Sequence, residues 1–313
     1  MLGGVPATNK VVKANFAVKA RAENGSIIVE SASGQLPGRG KVESSGLWMP
    51  TRGGTVYAGS LTLEAGTPFA LLRWAGFDMS GIAADRLNEL NLTADVTLAP
   101  DRWALEDADL VLDGRRHRGT VASERGGSPA FRLALTSDAL DLDAYAGLLR
   151  LPERPAPWDF LFPGDTVPRD LDLDVTLGRL TWGGDRFSDV TAVLRRDGDG
   201  LSISRLAIGN WDGVSLAVSG RVRGTLAAPD LVIDATATAD QLVRLLALAG
   251  VAPGTVPVVG GRSSVSVRGA LAPAAGSVAV SAETVNGAGD AVMRAGTSSL
   301  DADGYRFTIA NAA

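Results

Sequence analysis

Residues able to move protons, ligate metals or attack carbon are few in this chain of 313 residues. There is no cysteine and a single histidine, His117. It lies in Arg115-Arg116-His117-Arg118, between Gly114 and Gly119, a run that reads as a solvated turn. A lone histidine lacks the further ligands a metal centre needs. A Ser-His-Asp triad would have to pass through the same residue, and no Gly-x-Ser-x-Gly elbow presents a serine. Two carboxylate pairs, Asp141 with Asp143 and Asp172 with Asp174, have the two-residue spacing that shares one strand face. General acid–base chemistry could use such a pair. That face, however, is the polar side of an alternating pattern. Solvent exposure, and for Asp143 the N-cap of a short helix, accounts for these residues better.

Two glycine-rich stretches mimic ligand loops and fall short. Asp197-Gly198-Asp199-Gly200 opens like a calcium loop, but no glutamate follows at the twelfth position. Gly38-Arg39-Gly40-Lys41 suggests a phosphate loop, yet position 35 is not glycine and Val42 replaces the required Ser or Thr. Both read as turns. The six tryptophans, Trp48, Trp74, Trp103, Trp158, Trp182 and Trp211, are scattered and read as strand-end or core packing. No catalytic, metal or cofactor site is expected, and no enzyme.

The elements around these residues are mostly strands. Apolar residues make up 45% of the chain but aromatics only 5%, with 38 glycines, so Leu, Val and Ala carry the apolar mass between frequent turns. Net charge is −5 and no basic run suits nucleic acid. The most apolar stretch, Leu242 to Val259, is broken by Arg244, Pro253, Gly254 and Pro257, short of the roughly 20 uninterrupted apolar residues of a membrane span. Met1-Leu2-Gly3-Gly4 opens no secretory signal, and the end at Asn311-Ala312-Ala313 reads as truncation.

Period-two alternation predicts strands at Val11–Ala20, Ser26–Glu30, Lys41–Trp48, Thr55–Leu63, Leu87–Leu98 and Trp103–Leu112, with another starting at Thr120. Asn24-Gly25 predicts a hairpin. Phe131, Leu133 and Leu135 alternate, then a polar break leads to a short helix near Asp143. The same strand, break and short helix recur at Ser60–Gly76 and Ala235–Gly250. Leu171, Leu173, Val175 and Leu177 alternate before the phase slips to Leu180 and Trp182, which predicts a bulge around Gly178-Arg179. Further strands follow to Ile309. The reading is one continuous β-rich region over 1–313, with a possible subdivision near the Pro-rich link 151–168.

Leu112-Asp113-Gly114, Gly119-Thr120-Val121 and the block ALTSDALDLDAYAG resemble the AsmA family (AsmA/TamB-like). So does Leu36-Pro37-Gly38 upstream of a Phe-Ala-Leu-Leu helix, and the stretch from Leu171 to Val222 is similar to that family's recurring C-terminal unit. The resemblance covers most of Leu36 to Leu248. It implies a bridge-like lipid transfer protein of the Gram-negative envelope: periplasmic, held to the inner membrane by an N-terminal helix that this chain lacks, and hence a fragment. It also implies a mainly β fold, a long curled antiparallel sheet forming an elongated apolar groove, with a few short helices.

On this reading the protein is non-enzymatic. It shelters phospholipid acyl chains and supports intermembrane lipid transport and outer-membrane homeostasis. The candidate groove residues are Leu133, Leu135, Leu171, Leu173 and Val175, with Leu216, Val218, Leu231 and Ile233. An ordinary sandwich core would show the same alternation. A second reading is a scaffold or assembly factor for outer-membrane proteins, pairing envelope proteins at an exposed strand edge. A third is a β-sandwich or β-helix protein acting on carbohydrate.

Overall fold

The structure, a computed structural model, describes residues 14–79, 82, 86–124, 130–149, 170–198, 200–225, 228–239, 263–272, 277–286 and 292–295. They form seventeen strands and two short helices. The chain divides into two units: Met1–His117 with Gly147–Arg150, and Arg118–Ala146 with Leu151–Ala313.

The first unit contains an antiparallel meander in which each strand pairs with the next. Its strands are β1 (Asn15–Glu23), β2 (Ser26–Leu36), β3 (Gly40–Thr51), β4 (Gly54–Ala65), β5 (Leu90–Leu98) and β6 (Arg102–Leu112). Helix α1 (Pro68–Trp74) follows β4, with Pro68 in its first turn, where a missing N–H costs nothing. Thr67 N–H donates to the Gly38 carbonyl at 2.8 Å. Gly38 has φ +75°, and a Cβ there would lie 2.3 Å from the Thr67 oxygen, so only glycine lets the helix start close on the β2–β3 turn. Strand β7 (Arg115–Glu124) leads from the first unit into the second.

The second unit continues with β8 (Ala130–Ser137), β9 (Leu140–Asp141) and the first five residues of helix α2 (Leu142–Leu149). Then come β10 (Asp170–Trp182), β11 (Asp185–Asp197), β12 (Gly200–Trp211), β13 (Val214–Thr225), β14 (Ala228–Ala239), β15 (Ser263–Ala272), β16 (Ser277–Asn286) and β17 (Val292–Ala295). From β10 to β17 every pairing is antiparallel. β8 and β9 lie parallel to β10. Alternation carries no strand direction, so these parallel pairs could not be read from the sequence. Among the described residues neither unit's sheet closes into a barrel: the fold is mainly β and mostly antiparallel, as expected.

Two-residue turns set much of this register. Asn24-Gly25, Asp113-Gly114, Gly183-Gly184 and Asp212-Gly213 all have positive φ at both positions, the geometry whose twist matches antiparallel strands. The basic run is not a turn. Asp113-Gly114 makes the bend, and Arg115 to Arg118 begin β7, where His117 is 7% exposed. The bulge expected near Gly178 is also corrected. Leu177 pairs with Val190 and Arg179 with Ser188, so the β10–β11 register does not shift. The irregularity falls on the facing Asp189 at φ +54°, and a Cβ on Gly178 would lie 2.7 Å from the Asp138 carbonyl oxygen. Real register shifts occur in β2, β6 and β12.

Asp143 does not cap its helix. Asp141 Oδ1 accepts from Ala144 N–H at 3.1 Å. The Asp143 carboxylate instead accepts from Gly183 N–H at 2.7 Å and Gly184 N–H at 2.9 Å, tying α2 to the β10–β11 turn. The expected third helix after Asp240, the link 151–168, Trp158 and the strand at Tyr305–Ile309 lie outside the described residues.

Candidate functional site

Registers in the second unit bring the nominated apolar residues together. Phe131, Leu133 and Leu135 of β8 face Leu171, Leu173 and Val175 of β10 one to one. From there four rows run across β8, β10, β11, β12, β13 and β14. The first is Phe131, Leu171, Arg196, Leu201, Val222, Leu231. The second is Leu133, Leu173, Leu194, Ile203, Gly220, Ile233. The third is Leu135, Val175, Ala192, Leu206, Val218, Ala235, and the fourth Ser137, Leu177, Val190, Ile208, Leu216, Ala237. A bulge in β12 keeps Ile203 and Leu206, three apart in sequence, in these rows. All nine candidates therefore occupy one set of register positions. At about 4.8 Å per strand and 3.4 Å per residue, the rows span roughly 24 Å by 20 Å.

Exposure separates the two faces. Interleaved with the rows are Arg132, Asp172, Asp174, Arg195, Ser202, Arg205 and Arg221, all exposed. Asp172 and Asp174, one of the two carboxylate pairs that invited an acid–base reading, thus stand in solvent on the face that carries these arginines. On the apolar face Leu194, Ile203 and Val222 are each 2% exposed and pack with Leu201, Leu173, Leu206 and Ile233. The candidates around them, Leu133, Leu135, Leu171, Leu173, Val175, Leu216, Val218 and Ile233, are half-buried rather than buried. Such a residue keeps at most about a third of its surface, so covering it fully is worth about 0.5–1 kcal/mol more, a third of the 1.5–3 kcal/mol of complete burial.

Nothing nominated from the sequence pointed to the first unit, which carries a similar face. Phe16, Gly34, Val42, Leu63, Leu92 and Leu110 form one row, and Val29, Gly46, Gly59, Val96 and Leu105 another. Gly46 and Gly59 leave a dent, over which the Tyr57 ring lies: a Cβ at Gly46 would be 2.9 Å from its Cζ. Tyr57 is held there by a hydrogen bond between its hydroxyl and Ser44 Oγ and by Trp48, ring centroids 4.9 Å apart. Val29, Tyr57 and Val96 are buried, while Ile27, Trp48 and Leu98 at the hairpin end are exposed. Their alternation was legible, but nothing distinguished it from ordinary strand patterning.

His117 is held below its ordinary pKa, first by burial and then by the Arg115 charge. Arg116 is paired bidentately with Asp109, at 2.7 and 2.6 Å. A recess of about 660 Å³ beside β1 and β3 is lined by Phe16, Gly34, Arg39, Lys41 and Glu43, and there Lys41 pairs with Glu43 at 2.8 Å. Among the described residues no three of His, Asp and Glu converge as a metal site, and no helix is long and apolar enough to cross a membrane.

No family model matches the chain, and no curated protein or solved structure does either.

Proposed function

We propose that this protein is a non-enzymatic member of the bacterial envelope that shelters phospholipid acyl chains on its apolar β face, supporting lipid movement between membranes and outer-membrane homeostasis. The AsmA-like residues suggest a periplasmic setting and an inner-membrane anchor in a longer chain. The observation that carries the reading is the half-buried apolar face of six strands, with charge confined almost entirely to the other side. In a sandwich, a second sheet would bury Leu133, Leu171 and Val175 below the exposure they have. Their remaining accessible surface suits a mobile cover, and a row of roughly 24 Å exceeds the ~15 Å of one leaflet's hydrocarbon. A photo-crosslinking side chain at Leu173 tests this. It should capture phospholipid when the protein is made in cells, and capture of protein alone argues against it.

A second reading, strand pairing with envelope proteins, is favoured by β1. All nine of its residues are exposed, including Phe16 at 64% and Val18 at 65%, and it pairs with β2. Crosslinks from Val18 to other proteins, with lipid absent at Leu173, would favour this reading over the first.

A further inference from the structure

One charged residue interrupts the four apolar rows. Arg196 is in phase with Val190, Ala192 and Leu194 on β11, and stands between Leu171 and Leu201 in the outermost row. An arginine at a sheet rim ordinarily lays its stem on apolar surface and keeps its head in water. Arg196, half-buried as a whole, departs from this at one atom: its Nη1 is buried and has no hydrogen-bond partner. A buried N–H group of a guanidinium without an acceptor is costly, so this nitrogen has given up water without receiving a partner. A sequence scan for alternation discards such a residue as a blemish in the pattern.

We infer that Arg196 is the headgroup anchor of the apolar face, pairing with the phosphodiester of a bound phospholipid while the acyl chains lie along the rows beside it. The inference rests on the groove reading above and adds the polar half of the ligand. Its position argues for this occupant. Arg196 holds a register position in the outermost of the four rows, two residues from the β11–β12 turn, with apolar rows on one side only. An anion tethered to two hydrocarbon chains satisfies both at once. Guanidinium and phosphate oxygens match in a bidentate geometry that an ammonium does not reproduce. An uncharged diacylglycerol would cover the leucines and leave Nη1 unpaired.

Binding of dioctanoyl phosphatidylglycerol and of dioctanoylglycerol to the intact chain tests the inference, in the wild type, Arg196→Gln, Arg196→Lys and Leu173→Asp. The wild type should prefer the phospholipid by about tenfold or more, the scale of a charge-assisted hydrogen bond. Arg196→Gln should lose that preference while binding dioctanoylglycerol as before, and Arg196→Lys should recover part of it. Leu173→Asp should weaken both ligands. An unchanged preference in Arg196→Gln overturns the anchor and leaves the groove standing. Equal loss of both ligands in Arg196→Gln also overturns it, because Arg196 would then only support the fold. Failure of the wild type to bind either lipid removes the groove reading and this inference with it.

Discussion

His117 and Asp143 show how far a residue's role depends on what the fold puts beside it. His117 lies among three arginines in sequence, which suggests solvent, yet β7 buries it. Its folded pKa is lowered while the unfolded value stays near 6.5. Above about pH 6.5 both states are neutral and stability is unaffected. As pH falls below that, the unfolded chain binds the proton first, and stability declines until the lower folded pKa is passed. Thermal unfolding of wild type and His117→Leu between pH 7.5 and 5 should show a decline that is shallower in the variant; parallel curves would contradict this account. Asp143 holds the Gly183 and Gly184 N–H groups. Asp143→Ala should lower stability by about 1 kcal/mol in urea unfolding. An unaffected midpoint would mean that water replaces the carboxylate at no cost.

At the scale of elements, alternation and turn chemistry made most strands legible, because a half-buried strand must repeat every two residues and an Asn-Gly or Asp-Gly turn needs positive φ. The helices after β4 and β9 were legible from Pro68 and from Asp143 followed by Tyr145, Leu148 and Leu149, although Asp141, not Asp143, caps α2. The parallel pairing of β8 with β10 was not legible, since Phe131-Leu133-Leu135 would read the same against an antiparallel partner. Nor was the dent at Gly46 and Gly59, a cross-strand pair that sequence distance conceals. Tyr57 fills that dent, so Tyr57→Ala should cost about 3–5 kcal/mol, as for other large aromatic truncations. Tyr57→Phe should lose only about 1 kcal/mol, with the Ser44 hydrogen bond. Equal losses in the two variants would show that the ring is not what stabilises the β3–β4 pair.

At the scale of the whole molecule, each unit carries apolar residues on one sheet face and polar residues on the other, over the six-strand meander of the first and over β8 and β10 to β14 of the second. Seven of the nine nominated residues were legible from alternating runs, and Leu231 and Ile233 from their shared phase on either side of Val232. What the sequence withheld was their lateral order, which depends on the β12 bulge and on which strands are neighbours. The central claim is that hydrocarbon covers this face. It is tested most directly by extracting the chain, purified from bacterial cells without detergent, and weighing its bound lipid by mass spectrometry beside Leu173→Asp, with circular dichroism confirming that both are folded. The account predicts near-stoichiometric phospholipid on the wild type and little on the variant. Wild-type protein that is folded and free of lipid, or a variant carrying as much lipid as the wild type, would contradict it.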